Sequence, residues 1–232
     1  MTKKCYMCEK DATSEEHAPP KCLFPDEKDL PNGLNLRKDL IKVPSCESHN
    51  SAKSHDDEFL LYILCMNIAT NSVALRQFFT KIRRSYKRRP ALLHALSDGA
   101  PAVIAVNGKG TAFNTALIQA DTARINGCFE KIGRAIYFYE KKEKFSGDFR
   151  FLYDWIIPKE PNFTVLVKTN NQETRAIDHV KEHFEKLDHK GSNPSVFKYR
   201  LEEPDEHGLI ALHMQFYEGC NVYLALIPER NR

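Results

Sequence analysis

The sequence predicts an α+β protein: a small turn-rich module at the N-terminal end, a helical middle, and a C-terminal module of helix and antiparallel strands. Three observations predict it. Two pairs of chelating residues, Cys5-x-x-Cys8 and Cys46-x-x-His49, bracket a stretch full of turn residues. Apolar side chains then recur at helical spacing on both sides of residue 70. Beyond residue 150, strand-like runs alternate with one helical pattern.

Taken in order, Cys5-Tyr6-Met7-Cys8 forms a knuckle, Pro19-Pro20 and Pro25 sit in loops, and Leu40-Ile41-Lys42-Val43 reads as a short strand ending at Pro44. A helix begins near Glu47, with Phe59, Leu60, Ile63, Leu64 and Ile68 on its apolar face. A second helix runs from about Val73 to Arg88 and stops before Pro90. Asn107-Gly108-Lys109-Gly110 reads as a turn, and Asp121 to Lys141 as a helix. The last part holds a strand at Phe163-Thr164-Val165-Leu166-Val167, a helix from Glu173 to Leu187, and antiparallel strands at Val196–Leu201, Leu209–Tyr217 and Val222–Ile227. These signals divide the chain into 1–70, a basic helical segment 71–100, and an accessory α+β module 101–232.

Composition bounds the function. With 42% hydrophobic residues over 232 positions, the chain can bury a core, so a wholly disordered protein is excluded. No run of about eighteen apolar residues occurs, and the N-terminal residues lack the apolar run of a secretory signal, so a cytoplasmic protein without a membrane span is expected. Seven scattered cysteines make a poor disulfide framework and are expected to stay reduced. The net charge of +3 is segregated: residues 1–60 carry nine Lys/Arg against twelve Asp/Glu, a net of −3, leaving +6 for the remainder. Six of the nine residues from Lys81 to Arg89 are basic: Lys81, Arg83, Arg84, Lys87, Arg88 and Arg89. Such a run is either a solvated helix face or a contact surface for a polyanion.

Two chelating pairs supply four soft or borderline ligands, which is the set a closed tetrahedral zinc site requires. Structural zinc is therefore expected at Cys5, Cys8, Cys46 and His49. A Cys-x-x-Cys pair taken alone also fits a redox thiol, and the gap between the pairs is longer than in common zinc ribbons. The segment between them is too small and turn-rich to bury enough apolar area by itself, so bound metal would supply folding free energy.

Between the knuckles lies Ser14-Glu15-Glu16-His17-Ala18-Pro19-Pro20-Lys21, and after Cys46 comes Glu47-Ser48-His49-Asn50-Ser51-Ala52-Lys53. Over about residues 5–60 this resembles the HNH endonucleases of the ββα-metal superfamily. Their pattern sets an acidic residue and a histidine on a first strand, an Asn on a second, and a final His or Asn on a helix that zinc-containing members open with Cys-x-x-Cys-His-Asn-x-Lys. The resemblance implies a zinc-stabilised ββα module that hydrolyses phosphodiester bonds, with His17 as general base, Glu16 and Asn50 as oxygen ligands to catalytic Mg²⁺ or Mn²⁺, and Lys53 near the phosphate. Asp39 falls where the family's middle Asn is expected, and Asn35 is the alternative. His55 is read as facing solvent or substrate rather than binding metal, and Asp56, Asp57 and Glu58 as capping or salt-bridging their helix. Glu16 and His17, adjacent on a strand, can serve one site only if the chain bends there.

The reading that follows is a DNA endonuclease whose basic helix tracks the phosphate backbone, with RNA less favoured, and whose biological setting by analogy is phage defence. The alternative is a zinc-stabilised nucleic-acid-binding or adaptor protein with weak or absent catalysis. The C-terminal module is expected to sense a signal or dock a protein partner.

Overall fold

The computed structural model describes residues 3–50, 54–106, 111–156 and 172–229. It opens with a two-stranded antiparallel hairpin, β1 (Ser14–His17) with β2 (Lys42–Ser45), in the register Ser14 opposite Ser45 and His17 opposite Lys42. A short helix α1 (Glu47–Asn50) follows β2 directly, and α2 (Ser54–Cys65) comes next. The predicted strand began at Leu40, but pairing starts two residues later and takes in Pro44. Pro44 sits opposite Glu15 on a two-stranded ribbon, where a missing N–H leaves no ladder bond open on a further strand.

The predicted helix over Val73–Arg88 is formed by three consecutive pieces: α3 (Ser72–Gln77), a π-helical turn (Phe78–Ile82) and α4 (Arg83–Arg88). Asn71 caps it, its side-chain oxygen accepting from the N–H groups of Val73 and Ala74. Ile68, assigned to the apolar face of the preceding helix, lies beyond the end of α2 and is 60% exposed. Helix α5 (Ala91–Ser97) and a hairpin of β3 (Ala102–Val106) with β4 (Ala112–Ala116) follow, none of which the sequence pattern had indicated. The turn expected at 107–110 and the strand expected at 163–167 lie outside the described residues.

Helix α6 (Thr122–Lys141) organises the rest. Asp121 caps it by accepting from Arg124 N–H, and it carries buried side chains on more than one side. One face meets the inner face of a five-stranded antiparallel sheet in the order β5 (Gly147–Tyr153), β9 (Cys220–Pro228), β8 (Ile210–Phe216), β7 (Phe197–Leu201), β6 (Lys190–Asn193). Gly133 allows the close approach, since a Cβ there would lie 3.0 Å from Phe149 and 3.2 Å from Leu224. Another face, through Ala135 and Phe138, closes the small cluster of Cys5, Tyr6, Ala18, Val43 and Cys46 under the hairpin. Helix α7 (Gln172–Glu185) covers part of the outer sheet face, where Phe184 packs on His213 and Tyr223. A contiguous apolar cluster runs from Leu23 through α2, α3 and α6 to Leu226, so packing does not stop at residue 70 or 100. Among the described residues, no helix is long and apolar enough to cross a membrane.

Candidate metal centre and hairpin site

The knuckle and the helix start are brought together by backbone bonding before any metal is considered. Cys5 N–H donates to Lys10 O at 2.9 Å, closing the Cys5–Cys8 loop, and Tyr6 N–H donates to Pro44 O at 2.9 Å, fastening that loop to β2. On the other side, the N–H groups of His49 and Asn50 both donate to Cys46 O, so Cys46 opens α1 with its sulfur on the knuckle side.

The result is a cluster in which the ligand atoms of Cys5, Cys8, Cys46 and His49 all lie within 4.8 Å of one another. Cys5 Sγ and Cys46 Sγ stand 3.4 and 3.3 Å from His49 Nδ1, and Cys8 Sγ is 3.7 Å from Cys46 Sγ. A tetrahedral centre with bonds of about 2.0–2.3 Å has ligand-to-ligand edges of roughly 3.5–3.8 Å. The four residues the sequence singled out can therefore hold one metal ion. Cys46 is tuned for it: the Ser48 hydroxyl, 3.2 Å away, is the largest influence holding its thiol down to about 6, with burial opposing and the His49 N–H, Cys8 and Cys5 assisting. A thiol so lowered is an anion at neutral pH, the form that binds metal.

The hairpin arranges the remaining site residues differently from the expectation. Glu16 is 5% exposed, and its carboxylate accepts from Tyr6 OH at 3.1 Å on one oxygen and from Ser45 Oγ at 3.3 Å on the other. His17, next along a regular strand, faces the opposite side, across from Lys42. Desolvation lowers the pKa of its imidazole, with the charges of Lys21 and Lys42 adding to the effect, so its neutral form is favoured. Asn50 reaches back to β1, its amide donating to Ser14 Oγ at 2.8 Å on the Glu16 side. Glu16, with both carboxylate oxygens engaged, and Asn50, with its amide N–H donating to Ser14, thus lie on the side of β1 away from His17, and the three residues expected to share a Mg²⁺ or Mn²⁺ site are not brought together.

Asp39 is not on β2. It lies in the preceding turn with φ 51°, its carbonyl accepting from Ser192 Oγ, and so cannot act from a strand as the middle Asn does. Asn35 accepts from Arg37 N–H at 2.8 Å, a local turn contact. Lys53 lies outside the described residues. His55 is exposed, and its backbone oxygen accepts from Arg124. Asp56 bridges α2 to α6 through Arg124 at 3.0 Å and Lys131 at 3.1 Å, the salt-bridging role expected of it.

The basic run divides in two. Lys81 is partly buried, and its ammonium donates to Cys22 O at 2.9 Å. Arg84 grips Asp29 with two nitrogens. Arg83, Lys87, Arg88 and Arg89 are exposed, and on the same helical unit Leu75 and Phe79 are 55% and 58% exposed.

Comparison with protein-family models, with curated proteins and with solved structures finds no match.

Proposed function

We propose that this protein is a zinc-stabilised nucleic-acid hydrolase of the HNH type, with His17 as the general base. The observation that carries the reading is the antiparallel hairpin followed directly by a helix, closed by Cys5, Cys8, Cys46 and His49, with a histidine at the end of the first strand. Zinc suits the cluster because its three sulfurs and one imidazole nitrogen are soft or borderline donors at tetrahedral spacing. In this reading the ion is structural: four protein ligands leave no position for water. Phosphodiester hydrolysis needs a group that takes a proton from water near neutral pH, and a desolvated, neutral imidazole flanked by lysines meets that need. Lys21 and Lys42, the same charges that favour neutral His17, also favour an incoming phosphate. The exposed cations Arg83, Lys87, Arg88 and Arg89 supply nonspecific backbone contacts, for which DNA is the preferred substrate.

A second reading is favoured by one observation, the enclosure of Glu16 by Tyr6 and Ser45. A carboxylate so held braces the hairpin, and a protein whose acidic residue has become structural binds nucleic acid without cutting it. One experiment separates the two. Purified protein is incubated with plasmid DNA, with and without Mg²⁺ or Mn²⁺, beside His17→Ala. Cleavage lost in His17→Ala with binding retained supports the hydrolase; binding without cleavage by the unaltered protein supports the second reading.

A further inference from the structure

We propose that Tyr217, Gln77 and Lys81 form a clamp that positions the turn following His17 and with it the end of β1, so that the C-terminal sheet controls the hairpin site. This rests on the reading of His17 as the base. The clamp closes on two carbonyls of the turn Lys21–Leu23. Gln77 Nε2 lies 3.2 Å from Cys22 O and 3.1 Å from Leu23 O, Lys81 Nζ is 2.9 Å from Cys22 O, and the Tyr217 hydroxyl donates to Leu23 O. Three donors from two distant parts of the chain thus satisfy two adjacent acceptors.

The path from these carbonyls to His17 is short and stiff. Leu23 N–H donates to Pro20 O, Ala18 N–H donates to Ile41 O, and Ala18, Pro19 and Pro20 are all buried. Two consecutive prolines fix φ at both positions, so a shift of the turn moves the end of β1 with little slack.

The sheet's side of the clamp is held in a conformation the chain would not choose for itself. Tyr217 and Glu218, at the tip of the β8–β9 hairpin, have φ of 48° and 61°. A turn with two positive-φ centres normally takes Asn and Gly. A tyrosine is kept there because its ring is fully buried, its N–H donates to Val196 O and its carbonyl accepts from Asn71 N–H. The residue after Glu218 admits no side chain, since a Cβ on Gly219 would lie 1.9 Å from Ala69 O. Backbone strain retained at a point whose side chain reaches across to another module is the pattern of a positioning device. The π-helical turn at Phe78–Ile82 contributes to the same end, because Lys81 lies within it.

The test uses the full zinc-loaded protein with ¹⁵N-labelled histidines, in Gln77→Met, Lys81→Met and Tyr217→Phe, and in Lys81→Arg, which keeps a donor. The His17 ring signals are followed at one pH, with exposed His207 as the internal reference. Nucleic-acid affinity and single-turnover cleavage are measured in parallel. Displaced His17 signals, turnover lowered about 10–100-fold at unchanged affinity, and partial recovery in Lys81→Arg support the clamp. Unmoved His17 signals in folded Gln77→Met and Lys81→Met overturn it, even where melting falls, because that is the mark of a merely structural contact. If Tyr217→Phe does not fold, the other two variants decide. Should the unaltered protein cleave nothing, the hydrolase reading fails, and the His17 signals alone still decide whether the clamp sets the position of that ring.

Discussion

The hairpin module and the five-stranded sheet meet on opposite faces of α6, yet they are held by different forces. Beneath the hairpin the buried cluster comprises Cys5, Tyr6, Ala18, Val43, Cys46 and Ala135, of which two are metal-ligand candidates and one belongs to α6. Little apolar surface is available there to offset the ordering of some forty residues. The sheet buries Phe149, Leu212, Met214, Phe216, Val222, Leu224 and Leu226 against α6 and its neighbours, enough to order itself by the hydrophobic effect. The contrast teaches that a region with little apolar surface of its own can be held by a packed neighbour and by a four-residue cluster able to bind a metal ion.

The largest expected effect follows from removing the ion. Structural zinc contributes on the order of 10 kcal/mol in small domains. Chelation, or Cys46→Ser, is expected to abolish hydrogen-exchange protection over residues 5–18 and 41–50 while the sheet strands keep theirs. Elemental analysis finding no zinc, or protection lost equally in both regions, would break the comparison. The converse perturbation is Leu212→Ala, at a fully buried position. It is expected to cost about 2–5 kcal/mol in urea unfolding with zinc content unchanged.

A third perturbation sharpens the comparison through pH. His213 is buried on the outer sheet face, its Nδ1 accepting from Arg200 at 3.1 Å and its Nε2 donating to Asn221 Oδ1, 2.9 Å away. Burial is the main cause that pushes its pKa down to about 4. Below about 6.5 the unfolded chain takes up a proton that the folded state refuses, so stability is complete above that pH and falls as pH drops toward 4. The loss attributable to His213 is at most about 3 kcal/mol. Unfolding of the unaltered protein and of His213→Leu is compared at pH 7 and 4.5, and the fall should be smaller in the variant. An equal fall in both would assign the pH dependence to the metal ligands or carboxylates instead.

How far the sequence foretold this molecule depended on the range of the interaction. The ligand set was legible because the chelating pairs are local motifs, and α6 and strands β7, β8 and β9 were legible because period and length sufficed. The enclosure of Glu16 was not legible because its partners, Tyr6 and Ser45, are 10 and 29 residues away in sequence. Asp39 was placed on a strand because nothing local reveals that its carbonyl is tied to Ser192. Helix α5 and the β3–β4 hairpin have short, mixed patterns that periodicity does not resolve. Tyr217 gave no signal at all, since a tyrosine in a hairpin reads as ordinary strand and only the fold brings its hydroxyl to Leu23.

The smallest expected effect tests whether the basic run serves structure and binding with different residues. Asp29 keeps only 6% of its side chain exposed and is gripped by Arg84, itself 43% exposed. The Arg84 hydrogen bonds are the main cause that holds the Asp29 carboxyl below its usual range. Removing the guanidinium leaves that carboxylate nearly enclosed and without this partner, so Arg84→Gln is expected to lower stability by about 1 kcal/mol. Arg83 is exposed one position earlier, and Arg83→Gln should leave unfolding unchanged. Binding should respond in the reverse sense. Each phosphate contact contributes about 0.9 to the slope of log affinity against log salt, so Arg83→Gln should flatten that slope by up to this amount, whereas Arg84→Gln should not. Equal slopes in both variants would return the exposed half of the run to the role of a solvated helix face, and would leave the hairpin side, with Lys21 and Lys42, as the place to look for the polyanion.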